Sequence, residues 1–249
     1  MILALRSFAE GALFAEVLGD GPPRILALHG WGRRGADFRP SLEGLPALAL
    51  DLPGFGATPA PQEVIGADGY ARIVSQMLSE FDGPPVLIGH SFGGRVALCL
   101  ADLFPDGVGP MVLTGVPLVR LRPPAPPSTS YRAIRLLHRL GLVSDTLLEE
   151  RRRKSGSADY RAVTGVMRDI LVKAVNETYE EQLAAVRAPM TLLWGAADTD
   201  VPLAVARRAV EVREAAGLPV RLEVLDNVGH LLPTQAPDAL RHLVIEVTS

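Results

Sequence analysis

The run Gly89-His90-Ser91-Phe92-Gly93 constrains this chain more than any other five residues. It lies between a short apolar run, Val86-Leu87-Ile88, and a stretch with helical apolar spacing over residues 92–104. A strand that turns this sharply into a helix forces the residue at the corner into a strained backbone conformation and pushes its side chain outward. Glycines two before and two after the serine leave room for such a turn. Gly94 and the small Ala97 let the helix approach the neighbouring strands closely. The positive N-terminal end of that helix lies beneath Ser91 and favours negative charge developing there.

The remaining pattern supplies a sheet for this corner. Short runs without polar interruption, Ile25-Leu26-Ala27-Leu28, Ala47-Leu48-Ala49-Leu50 and Met111-Val112-Leu113, suit strands buried on both faces. Residues 70–81 and 92–104 carry helical periodicity between them, and Pro105 closes the second helix. Strands alternating with helices imply an α/β fold with a doubly wound, mostly parallel sheet. The alternation stops at Pro117. Arg122-Pro123-Pro124-Ala125-Pro126-Pro127 reads as a stiff extended linker, and residues 131–186 read as helical and arginine-rich. Strand-like Met190-Thr191-Leu192-Leu193-Trp194 then follows Pro189, with a helix over 202–216, a strand over 220–225 and a terminal helix from Asp238. The expected organisation is a core of residues 1–116 and 188–249 with a helical cap, 117–187, inserted after the sixth strand.

Composition narrows the function. A formal net charge of -3 argues against a broad nucleic-acid surface. The basic run Arg151-Arg152-Arg153-Lys154 reads as a solvated helix end or loop. Cys99 is the single cysteine, so disulfides within the chain and cysteine-based metal sites are excluded, and it reads as a small core residue. The first fourteen residues do not resemble a signal peptide, and no apolar run reaches membrane-spanning length. The default location is the cytoplasm. No cofactor or metal is expected.

A serine hydroxyl becomes a useful nucleophile only when a base takes its proton. Of the five histidines, His138, His230 and His242 follow Ser91. His138 falls in the insert and His242 in the terminal helix. His230, in Asn227-Val228-Gly229-His230, lies just past a strand and on the same sheet edge as Ser91. It is the expected base. The acid that orients it is expected in Trp194-Gly195-Ala196-Ala197-Asp198-Thr199-Asp200, with Asp198 preferred and Asp200 read as a cap for the next helix, whose first turn would hold Pro202. Asp226 stands too near His230 in sequence to reach its ring. The Phe92 and Trp31 amides are the expected donors to an oxyanion. Trp31, Phe92, Val201 and Leu231 are the expected substrate contacts. His29 reads as a brace for its loop.

Taken together, His29-Gly30-Trp31-Gly32, Asp51-Leu52-Pro53-Gly54-Phe55-Gly56, Gly89-His90-Ser91-Phe92-Gly93-Gly94, Gly195-Ala196-Ala197-Asp198 and Gly229-His230 resemble the α/β-hydrolase superfamily, in its serine esterase branch with a helical cap. They occur in family order over nearly the whole chain. Thr58 stands near the place where relatives commonly carry a serine. A serine at the corner argues against the epoxide hydrolases and haloalkane dehalogenases, which use aspartate. The resemblance implies hydrolysis of a small carboxylic ester through an acyl-enzyme. Alternatives on the same residues are a carrier-protein methyl ester esterase, a meta-cleavage C–C bond hydrolase, an aminopeptidase and a non-catalytic ligand receptor. For the carrier-protein alternative, Arg132, Arg135, Arg139 and Arg151–Arg153 are the candidate contacts to an acidic partner.

Overall fold

Alternate residues of the central strands feed two separate apolar layers. Leu26, Leu28, Leu48, Leu50, Leu87 and Leu113 face one core cluster; Ile25, Ala27, Ala47, Ala49, Val86, Ile88 and Val112 face the other. A strand apolar on both sides is stable only between two covering layers, as the unbroken apolar runs demand. In a computed structural model describing residues 4–121, 143 and 161–248, these strands form one eight-stranded sheet of order β1-β2-β4-β3-β5-β6-β7-β8. Its strands are β1 (Ala4–Phe8), β2 (Leu13–Leu18), β3 (Ile25–Leu28), β4 (Ala47–Asp51), β5 (Val86–His90), β6 (Met111–Thr114), β7 (Met190–Gly195) and β8 (Val220–Leu225). β3 to β8 pair in parallel; β1 and β2 are antiparallel.

Eight α-helices occur among the described residues. They are α1 (Arg39–Leu42), α2 (Ala67–Val74), α3 (Phe92–Leu103), α4 (Gly165–Ala174), α5 (Glu180–Ala185), α6 (Leu203–Ala215), α7 (Leu232–Gln235) and α8 (Pro237–Thr248). Residues 75–80 continue as 3-10 turns rather than as the α-helix expected to 81. The Ser75 and Ser79 hydroxyls and the Gln76 amide each donate to a carbonyl three residues back, a side-chain competition that favours the tighter turn. The β1–β2 hairpin was not read from the sequence. Its connection uses positive φ at Ala9, Glu10 and Gly11, without an Asn-Gly or Asp-Gly signal. The proline-rich segment 122–127, His138 and the arginines at 132, 135, 139 and 151–153 lie outside the described residues. No helix among the described residues is long and apolar enough to cross a membrane.

Order reverses at β3, which lies between β4 and β5. Crevices for ligands form outside the carboxyl ends of strands near such a reversal. All five segments singled out above leave the carboxyl ends of β3, β4, β5, β7 and β8. Arg213 of α6, buried completely, secures the approach to β7. Its guanidinium donates to the carbonyls of Leu183, Val186, Ala188 and Pro219, tying the end of α5 and the entries to β7 and β8 together. Arg213→Met would remove the donor from two buried carbonyls, those of Leu183 and Val186, and from two partly buried ones, those of Ala188 and Pro219. Urea unfolding should show a loss of about 3–5 kcal/mol; a change below about 1 kcal/mol would mean that other donors satisfy these carbonyls.

Candidate active site

Ser91 has φ 50° and ψ -113° at the corner between β5 and α3. A non-glycine residue there carries strain of roughly 1–3 kcal/mol, held in place by its surroundings. The surroundings do so on three sides. The Ser91 amide donates to the Thr114 carbonyl of β6 at 2.9 Å, and Gly94 donates back to the Ser91 carbonyl at 3.1 Å. Gly93 passes so close to the Leu28 and His29 carbonyls that a β-carbon would collide with them. Phe92 is the first residue of α3, so its N–H has no acceptor within the helix.

His230 and Asp198 meet beside this corner. His230 Nδ1 lies 2.9 Å from Asp198 Oδ2. The Asp198 side chain is 1% exposed and that of His230 is 17% exposed, so the carboxylate is sealed behind a ring that still reaches the cleft. Burial alone would raise the Asp198 carboxyl. The hydrogen bonds from His230 and from the Val201 and Asp200 amides outweigh it and hold the carboxyl below its ordinary range. Gly115, with φ 59°, lies directly under the pair: a β-carbon there would come within 3.0 Å of His230 Nδ1.

Asp200 does not cap α6. That helix begins at Leu203 with Pro202 at its N-cap, one residue later than expected. Asp198 Oδ1 instead accepts the amides of Asp200 and Val201 at 2.9 and 2.8 Å, so the turn is organised by the buried carboxylate. Asp200 is exposed.

Ser91, His230, Trp31, Phe92, Val201 and Leu231 all line one cleft of about 690 Å³, within the range of small-molecule sites. Trp31 packs edge-on against Phe55 and Phe92 at 5.0 and 5.2 Å between ring centroids, so its side chain forms a wall of that cleft.

Two buried histidines brace the site. His29 Nδ1 donates to the Gly30 carbonyl at 2.7 Å, leaving Nε2 to accept the Leu52 amide at 2.9 Å. This fastens the loop after β3 to the loop after β4, where Asp51 accepts the Gly35 and Ala57 amides. Thr58 Oγ1 accepts the Phe14 amide from β2, which gives it a structural role. His90 Nε2 donates to the His230 carbonyl at 2.9 Å, linking the corner to the loop that carries His230. The bracing role of His90 was not read from the sequence, because only the fold brings residues 140 positions apart together. Arg95 was likewise passed over. Its signal was a charge within the apolar run of α3.

Desolvation by burial lowers His29 to about 4 and, with repulsion from His230, His90 to about 3, from an ordinary 6.5. Both are neutral in the fold, whereas the unfolded chain protonates them below pH 6.5. Their contribution is therefore fully present above pH 6.5 and is lost as pH falls toward 4 and 3. Unfolding free energy should drop by about 2 kcal/mol per histidine between pH 7.5 and 5. Asp198, held low, contributes to acid lability only below that window. A flat urea midpoint between pH 7.5 and 5 would contradict this assignment.

A mostly parallel sheet with a strained serine on a strand-to-helix corner defines the class of α/β hydrolases. Residues 25–243 match the Alpha/beta hydrolase family, and the chain belongs to it. It is a hydrolase. A pimeloyl-[acyl-carrier protein] methyl ester esterase of Chromobacterium violaceum is 37% identical over 105 residues, 41% of this chain and 39% of its own length. A 2-hydroxy-6-oxononadienedioate/2-hydroxy-6-oxononatrienedioate hydrolase of Cupriavidus pinatubonensis is 26% identical over 265 residues, covering 92% of this chain and 87% of that protein. Among solved structures, a serine hydrolase involved in carbazole degradation, the CarC enzyme, superposes with a TM-score of 0.71 at 18% identity, covering 99% of both chains. That likeness concerns the fold alone.

Proposed function

We propose that the chain is a serine carboxylesterase that cleaves small carboxylic esters through an acyl-enzyme. The observation that carries this reading is the His230–Asp198 hydrogen bond beside the strained Ser91, with Ser91 and His230 lining one cleft. With its Nδ1 proton held by Asp198, His230 presents Nε2 as the acceptor for the Ser91 proton. Ser91 Oγ attacks the ester carbonyl. The Trp31 and Phe92 amides receive the developing oxyanion, and the positive end of α3 adds to their effect. His230 then returns the proton to the leaving alcohol, and water repeats the sequence to release the acid. Trp31, Phe92, Val201 and Leu231 contact the substrate. Residues 117–187 act as the cap over residues 1–116 and 188–249, and the cytoplasm is the proposed location.

The near-full-length similarity to a dienedioate hydrolase favours one second reading, in which the same groups hydrolyse a C–C bond. The test is a fluorophosphonate probe on the wild-type enzyme followed by peptide mapping, alongside a panel of p-nitrophenyl esters, a carrier-bound methyl ester and a meta-cleavage dienoate. Labelling at Ser91 with turnover of the simple esters is the expected result. Dienoate turnover with inert esters would replace this reading by the C–C one. Labelling elsewhere would remove Ser91 from its role.

A further inference from the structure

α3 is buried along ten of its twelve residues, and nine of those ten are apolar or glycine. The tenth is Arg95. A guanidinium stays charged, and holding it out of water is costly unless an anion or enough acceptors face it. Arg95 is 8% exposed and lines the same cleft as Ser91. Its Nη1 donates to the Ala174 carbonyl, and its guanidinium sits 5.7 Å over the Tyr179 ring. Its Nε is buried with no acceptor. The nearby acid, Glu177, is engaged by the Tyr179 hydroxyl at 2.7 Å and the Ala67 amide at 3.3 Å. No carboxylate among the described residues forms an ion pair with Arg95. Trp31 Nε1, on the same cleft, is also buried without an acceptor. Asp200, the one acid among the described residues of the cleft lining, belongs to the loop after β7 and not to the α3 side.

Among the described residues, the cleft lining thus includes a largely buried cation, Arg95, with no carboxylate in ion-pair contact, whereas Arg33, the other cation of that lining, pairs with Asp37. Arg95 follows Ser91 by four residues, a backbone rise of roughly 6 Å along a helix, and both line the same cleft, so a short bifunctional substrate can meet both. Carboxylates suit a guanidinium because its planar donors match their two oxygens. We propose that Arg95 binds a carboxylate of the substrate, so that the preferred esters are half-esters of short dicarboxylic acids. This rests on the esterase reading and specifies its substrate class. Sites built to pair a buried polar group reject analogues that leave it unpaired.

The experiment compares mono-p-nitrophenyl adipate with p-nitrophenyl hexanoate, its neutral counterpart. The wild type should favour the anion at least tenfold in kcat/KM, chiefly through KM. In Arg95→Gln the ratio should fall to near one, and Arg95→Lys should restore part of it. A wild-type ratio of one overturns the proposal while leaving the esterase reading intact. Equal losses on both esters in Arg95→Gln would make Arg95 a structural tie to Ala174 and would also overturn it. Calorimetry on the wild type reads the site without turnover or a variant: adipate should bind at least tenfold more tightly than adipamide, and equal binding overturns the proposal. If neither ester is turned over and no fluorophosphonate labelling occurs, the esterase reading fails, and adipate binding still decides the role of Arg95.

Discussion

Ser91→Ala should reduce kcat on any p-nitrophenyl ester by a factor on the order of 10⁵–10⁶ and abolish fluorophosphonate labelling. The magnitude follows from what the change leaves behind. Alanine removes the oxygen that attacks and makes His230 a base with nothing to deprotonate. The Trp31 and Phe92 amides and the cleft walls are untouched, so a residual acceleration by positioning and oxyanion stabilisation should persist. KM should move little, because the cleft keeps its shape. Stability should not fall, since the φ of 50° is maintained by Gly93 and by the backbone hydrogen bonds of the corner, none of which involves the hydroxyl. Turnover within tenfold of wild type, with labelling retained, would assign the nucleophile elsewhere.

The parts of this site legible in the sequence are those fixed locally. Gly89 to Gly93 could be read because the corner needs glycines at set offsets and apolar periodicity on both sides. The strand Val220–Leu225 was read to its observed ends because its turn-rich flanks delimit it. His230 and Asp198 could be chosen by order and by sheet edge, since a parallel sheet delivers every strand's carboxyl end to the same side. What remained hidden depends on pairs distant in sequence. The His90 bond to the His230 carbonyl, the Arg213 ties across three segments and the Gly115 seat beneath His230 follow from the packing of strands against one another, which no local pattern encodes. The β1–β2 hairpin escaped for a different reason: its turn lacks the residues that mark two-residue hairpins. The choice between Asp198 and Asp200 was the closest one, and the hydrogen bonds support the proposed assignment to Asp198. Only the buried carboxylate both holds the turn and faces the ring.

That basis makes Asp198→Asn the sharper of two tests. Asparagine has the same shape but can accept on one side only. Oδ1 of Asp198 accepts the Asp200 and Val201 amides at 2.9 and 2.8 Å, and the opposite oxygen accepts from His230. In the variant the carbonyl oxygen must stay with the two amides, because an NH2 group there would face two buried donors. The NH2 group is then forced toward His230 Nδ1. The imidazole must accept at Nδ1 and carry its proton on Nε2, the wrong tautomer for taking the Ser91 proton. The expected result is a fall in kcat of about 10⁴ with the fold retained. Asp200→Asn should change kcat by less than about threefold, because Asp200 gives this network only its backbone N–H and its side chain is exposed to solvent. The measurement is kcat for both variants on one activated ester, with circular dichroism to verify folding. A large loss in Asp200→Asn and a small one in Asp198→Asn would transfer the orienting role to Asp200. Comparable losses in both would mean that the turn, and not the proton on His230, sets the rate.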